Sequence, residues 1–147
     1  MKHKNVWSKC IAGFPIEVQN WKTATTENEP AKDNWTYYVY LSPSNVSYDA
    51  WQELLAIPKG KYSIEYSDSW LAAIEWHCGI TYASFEYGPT GDVTAVKAGC
   101  DYQHYWDEGH EYTLEDIERD ASRTLTSILR HGKGKGEPAE IGKEKAE

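Results

Sequence analysis

At 147 residues, 26% of them charged and 40% hydrophobic, the chain has the size and composition of one globular domain with a real core. A net charge of −8 argues against a surface built to track nucleic-acid phosphates, and no apolar run approaches the length of a membrane span. Seven Trp and eleven Tyr against two Phe and one Met mean that most large rings carry a polar handle, which suits ligand walls as well as a β-rich core.

The first residues, Met1 to Trp7, contain no apolar segment of the kind that directs secretion. Cys10, Cys78 and Cys100 lack CxxC spacing and read as reduced thiols, so a cytoplasmic protein is expected. Phe14 to Trp21 alternates as a strand, and the polar stretch 22–34 with Pro30 reads as a loop. Trp35 to Leu41 is the clearest strand, dense in aromatic and β-branched residues. A short helix is expected over Tyr48 to Leu55, closed by Pro58-Lys59-Gly60. Trp70 to Trp76 and Ile80 to Ala83 read as further strands. Gly88-Pro89-Thr90-Gly91-Asp92 then turns the chain into a strand over Val93 to Ala98.

The last element is a helix over Leu114 to Arg130. Thr113 is its cap, Asp116 its capping-box acid, and Leu114, Ile117, Ala121, Leu125 and Ile128 form one apolar stripe. Gly132 ends it, and residues 132–147 are too polar to bury a core and are expected to be disordered. The fold class is therefore α+β: residues 1–131 form a single domain, an antiparallel sheet with one long C-terminal amphipathic helix packed on it, plus a short helix.

Chemistry-bearing residues gather in two runs, Trp76-His77-Cys78-Gly79-Ile80-Thr81-Tyr82 and Gly99-Cys100-Asp101-Tyr102-Gln103-His104-Tyr105-Trp106-Asp107. A β-hairpin would bring His77 beside Asp101. Trp76, Tyr82, Tyr102, Tyr105 and Trp106 can sandwich a planar base while His77, Asp101 and His104 bond its polar edges. Lys97, Arg119, Arg123 and Arg130 are the cations available to a phosphate, and the competing reading pairs the helix arginines with Glu115 and Asp116. His77, Asp101, His104 and Asp107 also offer donors for a catalytic metal, against a bland reading as turn caps. His77 and Cys78 would point to opposite faces of a strand, a poor catalytic pair. No GxSxG, Walker or GxGxxG motif is present. Residues 101–120 hold eight acids against Arg119 alone, a charged face that can dock on a basic partner or imitate DNA.

The runs WHCGITYA, GCDYQHYWDEG and YTLEDIERDASRTLTSIL resemble a widespread set of small uncharacterised phage and prophage proteins. That family carries a His-Gly-Gly-(Leu/Ile)-Thr-Tyr run and then Gly-Phe-Asp-x-x-His-x-x-Asp. His77, Gly79, Thr81 and Tyr82 match the first; Gly99, Asp101, His104 and Asp107 match the second. Cys78 stands where glycine is usual, and Cys100 where an aromatic is usual. The resemblance covers about residues 34–130 and implies a phage source.

The function expected is a phage-encoded accessory protein, of anti-defence type, acting in the host cytoplasm. It would bind rather than react, sequestering a small polar ligand such as a nucleotide signal or blocking a host defence protein. The expected ligand-binding residues are Trp76, His77, Thr81, Tyr82, Asp101, His104, Trp106, Asp107, Arg119 and Arg123, in a homo-oligomer with no cofactor, no membrane contact and no direct nucleic-acid binding. The alternatives are a metal-dependent hydrolase or lyase on the His/Asp cluster, and an acidic docking inhibitor.

Overall fold

The computed structural model describes residues 4–23, 28, 32–103, 107 and 109–136. Its strands are β1 (Lys4–Ile11), β2 (Phe14–Lys22), β3 (Asp33–Leu41), β4 (Tyr82–Tyr87) and β5 (Val93–Asp101). They form one antiparallel sheet in the order β1-β2-β3-β5-β4. Two helices, α1 (Tyr48–Leu55) and α2 (Leu114–Arg130), complete the expected α+β architecture. No helix among the described residues is long and apolar enough to cross a membrane.

Register sorts the side chains. Val18, Tyr37 and Cys100 are cross-strand neighbours, as are Ile16, Val39 and Ala98, and all six are buried on one face. The stripe Ile117, Ala121, Leu125 and Ile128 of α2 is fully buried. Burying its three large members contributes roughly 1.5–3 kcal/mol each, more than intrinsic propensity supplies to a helix of this length. The capping box forms as expected: Thr113 Oγ1 accepts from the Asp116 N–H, and Asp116 Oδ2 accepts from the Thr113 N–H at 2.9 Å. Those bonds hold the Asp116 carboxyl below its ordinary range.

Glu17, Tyr38, Tyr40, Lys97 and Tyr82 occupy the opposite face. There the Lys97 ammonium sits 3.5 Å from Glu17 and 4.3 Å from the centre of the Tyr38 ring. Two buried polar atoms, Trp35 Nε1 and Thr36 Oγ1, have no hydrogen-bond partner among the described residues.

The structure departs from the sequence expectations in three elements. β1 was not anticipated, because seven of its eight residues are exposed and no core pattern marks it. Trp70–Trp76 is not a strand: Trp70–Ala73 is a 3-10 turn capped by Ser69, whose side chain accepts from the Leu71 N–H, and 74–76 is irregular. Its buried residues, Trp70, Leu71, Ile74 and Trp76, do not alternate with the exposed Ala72, Ala73 and Glu75, so the segment lacks the two-residue period of a half-buried strand. Part of the segment expected to be disordered is ordered. The Ser47 N–H donates to the Lys133 carbonyl at 2.8 Å, the Lys135 N–H to the Asn45 carbonyl at 3.0 Å, and Val46 bridges Gly134. Gly134 lies so close to Leu129 that a Cβ there would sit 2.3 Å from its Cδ2, so glycine serves as contact surface here. Residues 137–147 lie outside the described residues.

Candidate functional site

The loop between the 3-10 turn and β4 is tied down by its own amides. The Glu75 N–H donates to Ser127 Oγ at 2.9 Å, the His77 N–H to the Tyr37 hydroxyl at 3.1 Å, and the Thr81 N–H to the Gly99 carbonyl at 3.0 Å. The chain then turns through two left-handed residues, Cys78 (φ 58°) and Gly79 (φ 97°). Only glycine adopts that region freely, so Cys78 holds a backbone conformation that side-chain-bearing residues rarely take.

His77 is the centre of a packed polar cluster. Its imidazole lies flat on the Tyr102 ring at 3.8 Å and meets Tyr112 edge-on at 6.0 Å. Nε2 is 2.8 Å from Asp107 Oδ1, which also accepts from the Tyr112 hydroxyl at 2.7 Å. Nδ1 is 3.9 Å from Asp120 Oδ2, which accepts from the Tyr102 hydroxyl at 2.5 Å. Asp107 is buried, and a buried carboxylate is tolerable only when donors surround it in this way. Burial first, and then the hydrogen bonds to Asp120 and Asp107, push the Tyr102 and Tyr112 phenols far above their ordinary value, so both act as donors.

Beneath the imidazole stands Tyr37, fully buried, its hydroxyl 2.7 Å from Thr124 Oγ1 and also engaging Cys100. Burial pushes the Cys100 thiol up to about 12. This thiol is a structural group, not a nucleophile.

Beside the cluster is a cavity of about 350 Å³ lined by Glu75, Arg123, Thr126, Ser127, Arg130 and His131. Arg123 joins the two features, its guanidinium 3.5 Å from Asp120 Oδ1. The His131 ring is fixed by a 2.8 Å contact between Nδ1 and the Ser127 carbonyl.

No family model, curated protein or solved structure matches the chain.

Of the residues expected at the site, His77 and Asp107 meet directly, and Arg123 reaches the cluster through Asp120. The others divide. Trp76 is a core ring, buried, stacked on Tyr37 and donating Nε1–H to the Leu71 carbonyl at 2.9 Å. Tyr82 packs edge-on against Tyr38 on the other face of the sheet, and Thr81 enters β4 exposed. Asp101 is paired with Thr36, whereas Cys100 is paired with Tyr37, so strand alternation sends the Asp101 side chain to the face away from Tyr37. The hairpin between β4 and β5 forms, yet His77 stands on a loop before it; the carboxylate of the second run that meets the imidazole is Asp107. Arg119 pairs with Asp116 along the helix at 3.4 Å. His104 and Trp106, with Tyr105, lie outside the described residues.

Asp120 and Ser127 were missed, though a signal existed. Asp120, Thr124, Ser127 and His131 recur at helical spacing along one flank of the apolar stripe, a polar row that α2 turns toward the loop. Among the described residues no group of three His, Cys, Asp or Glu side chains is arranged to hold a metal ion.

Proposed function

We propose that this protein binds a small anionic ligand of the nucleotide class without turning it over, as a phage-encoded accessory protein that withdraws a defence signal. The observation that carries this reading is the cavity lined by Arg123, Arg130 and His131 in a chain of net charge −8. Two guanidinium groups there offer planar, charge-assisted donors to phosphate oxygens. Next to them, the half-buried Asp120 carboxylate of the His77 cluster can accept from the donor edge of a base, and the half-buried Tyr112 ring can meet its face. The polar groups are already hydrogen-bonded to one another, which suits recognition by a preformed surface. The phage source rests on the resemblance of the two motif runs.

The test is incubation of purified protein with mononucleotides and cyclic di- and trinucleotides, removal of free ligand, heat release and chromatography. One nucleotide retained and released intact is the expected result, with retention lost in Arg123→Ala/Arg130→Ala. No retention of any nucleotide refutes the reading, and release of a changed product replaces it with an enzymatic one.

A further inference from the structure

β1 is one of the two edges of the sheet, β4 being the other. It runs eight residues, seven of them exposed, with no proline and with unbroken register against β2. Natural edges this long are usually blunted by proline, a bulge or charges over the pairing edge. Here both lysines are drawn back over their own subunit. Lys9 Nζ pairs with Glu118 at 3.1 Å, and Lys4 Nζ lies 5.1 Å from the centre of the Trp21 ring. Val6 and Trp7 are exposed at 51% and 36%, so the edge also presents apolar surface.

The turn fixes which backbone groups face outward. Ala12 and Gly13, at φ 51° and 83°, form a two-residue turn closing the pair Ile11 and Phe14. In such a hairpin the closing pair exchanges hydrogen bonds and the pattern alternates from there. Ile11, Lys9, Trp7 and Asn5 therefore bond to β2, while Cys10, Ser8, Val6 and Lys4 turn their N–H and C=O groups away from it. A second strand can pair only through those four.

We propose that two copies of this chain associate through antiparallel pairing of β1 with β1, building one ten-stranded sheet with both α2 helices on the same side. The strand is self-complementary about Trp7. Placing Trp7 opposite its own copy sets Lys4 against Cys10 and Val6 against Ser8 as hydrogen-bonded pairs, so all four outward residues of each strand are used. Shifting the register two residues either way leaves one of them without a mate. Charge agrees with this register, because Lys9 then faces Asn5 and no lysine faces a lysine. The two Trp7 rings meet in the closer, non-hydrogen-bonded type of pair, each already stacked on its own Trp35 at 5.9 Å. An interface of two strands and two rings is small, which sets the dissociation constant on the order of micromolar.

Sedimentation velocity of the full chain, from low micromolar to roughly 1 mM, tests this. The expected result is a monomer–dimer equilibrium. Ser8→Pro removes an N–H that only the neighbouring copy uses, so it should shift dissociation at least tenfold while the dilute monomer unfolds at a nearly unchanged denaturant midpoint. In a chain with Cys10 and Cys78 replaced by serine, Trp7→Cys should cross-link to itself on mild oxidation, since Cα atoms in that type of pair lie about 4.5 Å apart. A monomer at every concentration overturns the proposal and leaves the edge to a foreign strand. A dimer that ignores Ser8→Pro and forms no Trp7→Cys cross-link overturns it as well.

Discussion

The Tyr37 hydroxyl joins the sheet, α2 and the His77 loop, so Tyr37→Phe tests how the site is held. The change keeps the ring against Trp76 and removes one oxygen. Lost with it are the 2.7 Å bond to Thr124 and the 3.1 Å bond from the His77 N–H. Each bond is worth about 1 kcal/mol net, and the His77 amide keeps the Cys100 sulfur as a weaker acceptor. Thr124 loses less, because its hydroxyl keeps the Asp120 carbonyl at 3.4 Å. The expected total is about 2 kcal/mol, or roughly 5–8 °C in melting temperature for a domain of this size. Thr124→Val should cost only about 1 kcal/mol, and the double variant should show coupling of about 1 kcal/mol. Urea unfolding of the four proteins measures all of this, and the same samples report nucleotide retention. A Tyr37→Phe protein within about 0.5 kcal/mol of the parent would refute the claim that this hydroxyl organises the site.

Cys78→Gly should stabilise by up to about 1 kcal/mol, since it relieves a left-handed non-glycine residue, and Gly79→Ala should destabilise by at least that much; chemical denaturation separates the two signs. Cys100 should resist alkylation at pH 8 until denaturant is added, while the exposed Cys10 and Cys78 react at once. With its folded thiol raised to about 12 against 9.0 unfolded, the unfolded chain holds fewer protons between those values, so stability falls as pH rises above about 9. Cys100→Ala should remove up to about 1.4 kcal/mol per pH unit of that slope, and an unchanged slope counts against the assignment. Thr36→Val deletes a buried hydroxyl with no partner among the described residues and should be neutral or stabilising by about 1 kcal/mol; a loss beyond that would show that the hydroxyl is satisfied.

Elements whose side chains divide cleanly between core and solvent were legible from the residues alone. α2 with its Thr113 cap and α1 carry that division, whereas the Trp35–Leu41 strand was legible from its aromatic and β-branched residues. β1 escaped notice because seven of its eight residues are exposed, and Trp70–Trp76 was mistaken because its composition is apolar although its buried residues, Trp70, Leu71, Ile74 and Trp76, do not alternate. The site was half legible for a related reason. Residue type marked His77 and Asp107, but which face Asp101 and Tyr82 occupy depends on strand register, and register is set by pairings distant in sequence. Asp120 looked like one more acid on a solvated helix start until the loop carrying His77 was seen lying against it.

Asp120, Thr124 and Ser127 take successive turns of α2 and meet three groups at the site: the His77 imidazole, the Tyr37 hydroxyl of β3 and the Glu75 amide. The helix therefore keeps these three contacts in phase. One residue inserted between Asp120 and Thr124 would rotate the acid about 100° around the axis, away from the imidazole, whereas four inserted residues would nearly restore its heading at the cost of one turn of displacement. Length changes in this chain should accordingly be accepted in the β4–β5 turn and refused within the middle of α2.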